Sequence, residues 1–89
     1  MKHAYLEVTY RKGRPLAAYY HLPRRDGDKS ARTEPADGGL LVDYSIDGRA
    51  IGIEIPSPST LDIAALNRLL KRLNQRAADP AEFAPLHAA

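Results

Sequence analysis

The sequence predicts an α+β domain: an antiparallel sheet of four or five strands, built from two hairpins, with one C-terminal amphipathic helix packed on one face. Three observations carry this. Apolar residues alternate with polar ones on both sides of an Arg-Lys-Gly-Arg-Pro turn near the start of the chain. They alternate again around Asp47-Gly48. Between residues 60 and 77 the spacing changes to threes and fours, the period of a helix rather than a strand.

From His3 to Tyr10, residues Ala4, Leu6, Val8 and Tyr10 share one face and His3, Tyr5, Glu7 and Thr9 the other, as in a half-buried strand. Gly13 and Pro15 supply turn chemistry. Leu16, Ala18, Tyr20 and Leu22 then resume the inward face, with Ala17, Tyr19 and His21 outward. Two registers fit this hairpin: one sets His3 opposite His21, the other Tyr5. Residues 23–39 are charged and rich in turn formers, which predicts a partly mobile loop with a very short strand at Arg32-Thr33-Glu34.

Asp-Gly between alternating runs is the strongest short-range hairpin signal, because a two-residue type I′ turn needs positive φ at both positions. Such a turn at Asp47-Gly48 sets Ile46 opposite Arg49, Tyr44 opposite Ile51, Val42 opposite Ile53 and Leu40 opposite Ile55. It also sets Ser45 opposite Ala50, Asp43 opposite Gly52 and Leu41 opposite Glu54. Every inward residue then meets an inward one. Pro56-Ser57-Pro58 ends the strand. Ser59 or Thr60 is the expected helix N-cap, with Asp62 at N3 if Ser59 caps. Ile63, Leu66, Leu69, Leu70, Leu73 and Ala77 form the apolar stripe of a helix over 60–77, and Asp79-Pro80 stops it. The expected organisation is one domain over 1–78, followed by an alanine-rich tail, 79–89, that frays.

The second hairpin carries more than a fold signal. Val42-Asp43-Tyr44, Gly48, Gly52-Ile53-Glu54-Ile55 and, upstream, Arg32-Thr33-Glu34 resemble the motif of domain-of-unknown-function family 2283, a set of short bacterial proteins. Ala18-Tyr19-Tyr20-His21-Leu22 is similar to a strand of the same family. The resemblance spans about residues 3–56 and is most specific in the second hairpin. The Asp-Gly turn, the longer charged loop at 23–31 and the helix and tail depart from the family pattern. The resemblance implies the fold and no established activity; members are sometimes suspected of being one half of toxin–antitoxin-like gene pairs.

Composition excludes several classes. The 89 residues contain no cysteine, so there is no disulfide scaffold, thiolate metal site or cysteine nucleophile. No apolar run approaches a membrane span, no secretory leader opens the chain, and a cytoplasmic, reduced setting is expected. The glycines match no phosphate-binding loop, and no cofactor is implied. Thirteen basic and eleven acidic residues give a net +2, with the basic surplus in the first hairpin and the helix.

Four groups of side chains are candidate sites. Arg68, Lys71, Arg72 and Arg76 form a basic stripe on the helix away from the leucines, able to track phosphates; an ordinary solvated helix face also accounts for it. Tyr5, Ala17, Tyr19 and Leu41 make the outward sheet face less polar than solvent requires, which points to self-association or a protein partner, by default as a two-fold dimer. His3, His21 and Glu7 are candidate ligands of a divalent metal in a metal-dependent enzyme. Asp43 and Glu54 are paired carboxylates of the kind used in acid–base chemistry, but no nucleophile or oxyanion donor accompanies them. The leading expectation is a non-catalytic interaction module, homodimeric or serving a second protein. A nucleic-acid-binding regulator, antitoxin-like by the resemblance, comes second and the metal enzyme third.

Overall fold

The structure, a computed structural model, describes residues 3–87. It is an α+β fold: a five-stranded antiparallel sheet with short helical segments. In chain order the strands are β1 (Tyr5–Arg11), β2 (Arg14–His21), β3 (Arg32–Pro35), β4 (Leu41–Tyr44) and β5 (Ala50–Ile55). In space they run β1-β2-β5-β4-β3. The inward rows meet as their alternation requires, with Leu6 opposite Tyr20, Tyr20 opposite Ile53 and Ile53 opposite Val42.

The first hairpin takes the register with Tyr5 opposite His21. It turns on Lys12 and Gly13, both with positive φ (53° and 76°), the signature of the two-residue primed turn. An irregularity at Thr9/Tyr10 places Pro15 opposite Tyr10, so the extra residue is Leu16, on β2. The expected inward positions Tyr10 and Leu16 are therefore not core: they are 53% and 52% exposed at the hairpin tip.

The Asp-Gly hairpin keeps Val42 opposite Ile53, Asp43 opposite Gly52 and Leu41 opposite Glu54. Its turn differs from the expected one. Only Gly48 has positive φ (88°), the Gly48 amide donates to the Ser45 carbonyl, and the Ser45 amide donates to the Arg49 carbonyl. The loop is thus three residues closed by a glycine bulge. Tyr44 moves opposite Ala50 rather than Ile51, Ile46 is thrown out to 94% exposure, and Ser45 is buried.

The loop after β2 is pinned rather than loose. Arg49 holds Asp28 with two hydrogen bonds of 2.9 and 2.7 Å and reaches Asp47 at 2.9 Å. Hydrogen bonds from Ser45 and then Arg49 hold the Asp47 carboxyl down at about 2. The Arg49 contact likewise keeps Asp28 below the usual carboxylate range. Ala31 then donates to the Tyr44 carbonyl, leading the chain into β3.

The helix is shorter than its periodicity suggests. Pro58–Thr60 is a 3-10 turn, Leu61 is extended, and Asp62, not Ser59 or Thr60, caps α1 (Ile63–Arg72) by accepting from the Ala64 amide. Leu61 and Leu66 flank this cap inside one buried cluster, as in a hydrophobic staple. At the other end Asn74 has φ 59°. The Gln75 amide reaches the Leu70 carbonyl and the Asn74 amide the Lys71 carbonyl, the paired bonds that terminate a helix on a left-handed residue.

Of the expected fraying tail, residues 79–87 instead complete the core, and residues 88–89 lie outside the described residues. Asp79 caps the single turn α2 (Pro80–Phe83) through the Ala81 amide; the dipeptide read as a stop signal is also a start signal, with Pro at N1. Phe83 and Leu86 are each 1% exposed. Phe83 meets the Tyr20 ring edge-on at 5.0 Å, and the Asn67 side chain accepts from the Ala78 amide at 2.8 Å. The helical layer is therefore several short pieces on the inward face. Phe83→Ala should lower the unfolding free energy by about 3–5 kcal/mol, measured by chemical denaturation; a loss below about 1 kcal/mol is the result expected of a frayed tail.

Candidate functional site

The ladder pairings align outward residues in rows across the sheet. One row reads Thr33, Asp43, Gly52, His21, Tyr5, and the next Pro35, Leu41, Glu54, Tyr19, Glu7. Thr9 and Ala17 begin a third. No helix of the described fold lies in these rows.

At their centre Tyr19 leans across Gly52. Any β-carbon on Gly52 would overlap the Tyr19 ring and hydroxyl, so the ring occupies the space that a side chain would fill. A glycine inside a strand marks such a close approach. From there the Tyr19 hydroxyl donates to Asp43 Oδ2 at 2.8 Å, while Thr33 donates to Oδ1 at 2.5 Å. Asp43 is only 7% exposed, and both of its oxygens are satisfied. Burial first, then the Asp43 hydrogen bond and charge, push the Tyr19 phenol up to about 12, with Arg24 opposing.

His21 continues the network. Its ring stacks on Tyr5 (centroids 4.3 Å apart, planes 11° from parallel) and tilts against Tyr19. Nε2 lies 2.7 Å from Glu7 Oε1, and Nδ1 lies 3.4 Å from an Arg24 guanidinium nitrogen that also donates to the Ile51 carbonyl at 2.7 Å. A guanidinium only donates, so in this contact Nδ1 is the acceptor. Beside these groups runs an open groove of about 500 Å³, lined by Glu7, Thr9, Ala17, Tyr19, Arg24 and Glu54 among others.

The expected sites fare differently. Glu7 and His21 meet, but His3 does not join them. It lines a separate depression with Gln75, Arg76 and Glu82, because the register that sets Tyr5 opposite His21 leaves His3 beyond the ladder. Among the described residues no three His, Asp or Glu side chains are grouped to hold a metal. Arg68, Lys71 and Arg72 stay exposed on α1. Arg76 leaves that stripe, since the left-handed Asn74 ends the helix before it. Tyr5 is 44% exposed and Ala17, Tyr19 and Leu41 half-buried, all four within or beside the rows. Of the residues that carry the family resemblance, Thr33, Asp43 and Gly52 belong to one row and Glu54 to the next. Arg32 pairs with Glu34 at 3.1 Å and lies over the Tyr44 ring at 4.4 Å, and Gly48 makes the turn.

Asp43 and Glu54 do not form a reacting pair: Asp43 is fully engaged by Thr33 and Tyr19, in a different row. The periodicity did not reveal the Thr33–Asp43–Tyr19 network or the Asp28–Arg49 clamp. Gly52, alone among apolar strand residues, was the available signal.

Ultraviolet absorbance titration should find a tyrosine near pH 12 that disappears in Tyr19→Phe. Asp43→Asn should lower that value, because it removes the carboxylate that disfavours phenolate, and Gly52→Ala should lower it by displacing the ring. A phenol raised on folding stabilises the native state below the unfolded value of about 10. Stability should therefore decline as pH rises from about 10 through 12 in the parent protein, and less in Tyr19→Phe.

No helix among the described residues is long and apolar enough to cross a membrane. Compared with known protein families, curated proteins and solved structures, the chain finds no significant match to any of them.

Proposed function

We propose that this chain is a non-catalytic protein-interaction module that acts as a homodimer or as the partner subunit of another protein. One observation carries the reading: among the described residues, the helical segments cover the inward face of the sheet, while no helix lies on the outward face and no strand pairs with the outer side of the long edge strand β1. Several polar groups on the outward face are spent on one another. Asp43 is held by Thr33 and Tyr19, and Glu7 is engaged with His21, which suits a rigid recognition surface better than a reacting one. The motif likeness to domain-of-unknown-function family 2283 is consistent with this role and names no chemistry. Sedimentation equilibrium at micromolar to millimolar concentrations should give twice the monomer mass, or a partner should co-purify in stoichiometric amount. A monomer across that range with no partner would overturn the reading.

A second reading, a nucleic-acid-binding regulator, has its own observation. Arg68, Lys71 and Arg72 are exposed on one helix, and none of the ion pairs found among the described residues involves them. Cations of this kind release counterions from phosphates, which makes binding salt-dependent. Filter binding to duplex DNA should then weaken steeply with salt, with a slope reduced by about one for each residue replaced by alanine. Salt-independent retention, or none, removes this alternative.

A further inference from the structure

The two edges of the sheet are built differently. β3 is four residues long, ends in Pro35 and carries the exposed Arg32–Glu34 pair, all devices that discourage strand addition. β1 has seven residues and no proline. The irregularity in its hairpin is taken up by Leu16 on β2, so β1 itself stays regular along its free edge. An open, regular edge is a template for another strand.

We infer that a second copy of this chain docks on β1, antiparallel, about a two-fold axis at Val8. This rests on the self-association proposed above and specifies its geometry. The pattern of β1 is complementary to itself in that register. Tyr5 lies opposite the partner's Arg11, Leu6 opposite the partner's Tyr10, Glu7 opposite the partner's Thr9, and Val8 opposite the partner's Val8. All seven residues find a mate. On the inward face Tyr10, 53% exposed in the single chain, covers the partner's Leu6. On the outward face Glu7 and the partner's Arg11 are diagonal neighbours about 7–8 Å apart at the backbone, within reach of long side chains.

Other registers are worse. A slip of one residue sets inward side chains against outward ones. Moving the partner by two in one direction places Glu7 directly opposite the partner's Glu7. Moving it by two in the other direction leaves Tyr5 outside the ladder and sets Leu6 against Lys12 in the turn.

The pairing also completes the groove. Glu7, Thr9, Ala17, Tyr19 and Glu54 line it in one chain. In the dimer the row Glu54, Tyr19, Glu7 continues into the partner's Thr9 and the partner's Ala17. The two grooves become one trough across the two-fold axis, and each half gains a cation from the partner's Arg11.

The absence of cysteine makes cross-linking a direct test. Glu7→Cys and Thr9→Cys proteins, mixed and oxidised, should form a disulfide dimer containing one of each, while either alone should not, because only that pair is directly opposed. Arg11→Glu should weaken the dimer about threefold to tenfold, and Glu7→Arg combined with Arg11→Glu should restore it. A dimer in sedimentation without the mixed cross-link overturns this register and leaves self-association standing. A monomer overturns both.

Discussion

The pairing of β2 with β5 is the contact on which the rest of the structure depends. Each hairpin alone is a two-stranded ribbon, which is marginal in water. Joined through Ala18–Ile55, Tyr19–Glu54, Tyr20–Ile53 and His21–Gly52, they become one sheet whose inward face is wide enough to need a cover. That cover is formed by residues 61–87, and its most buried side chains, Leu66, Leu70, Phe83 and Leu86, belong to the same cluster as Tyr20, Ile53 and Ile55. On the other face the same pairing brings Tyr19 beside Gly52 and so within reach of Asp43. Core and outward network are therefore consequences of one register.

That network gives several residues of the outward face one shared structural role. Gly52 leaves room for the Tyr19 ring, Tyr19 and Thr33 satisfy the buried Asp43 carboxylate, and these contacts link β2, β5, β4 and β3. A buried carboxylate left without its donors would be costly, so each residue constrains the others. The result is a set of side chains that hold one another in place across four strands.

The charge distribution follows the same logic. The loop at 23–31 has little to bury and reads as mobile, yet Asp28 anchors it to Arg49 at the far end of the second hairpin. Among the described residues, Arg68, Lys71 and Arg72 of the helix take part in no ion pair. The net +2 thus conceals two kinds of charge: one that ties loops together and one that faces solvent.

What the sequence determined by itself is whatever depends on neighbours along the chain. The alternation at Leu40–Ile55 set Val42 against Ile53, the Arg32-Thr33-Glu34 stretch became an edge strand, and the leucine stripe became the buried face of α1. Tertiary structure alone decided the rest. Whether Asp47-Gly48 closes two residues or three depends on burying Ser45 and expelling Ile46. Whether residues 79–87 fray depends on a pocket for Phe83 and Leu86 that exists only once Tyr20 and the strands have assembled. Which of His3 or Tyr5 faces His21 depends on a two-residue turn at Lys12-Gly13 combined with the extra residue Leu16 on β2, a combination that alternation alone did not contain. Local periodicity selects which side of a strand faces the core, because side chains alternate with a fixed period. It carries no information about which distant segment will fill the space on that side, since that is set by packing between surfaces that do not exist before the chain folds.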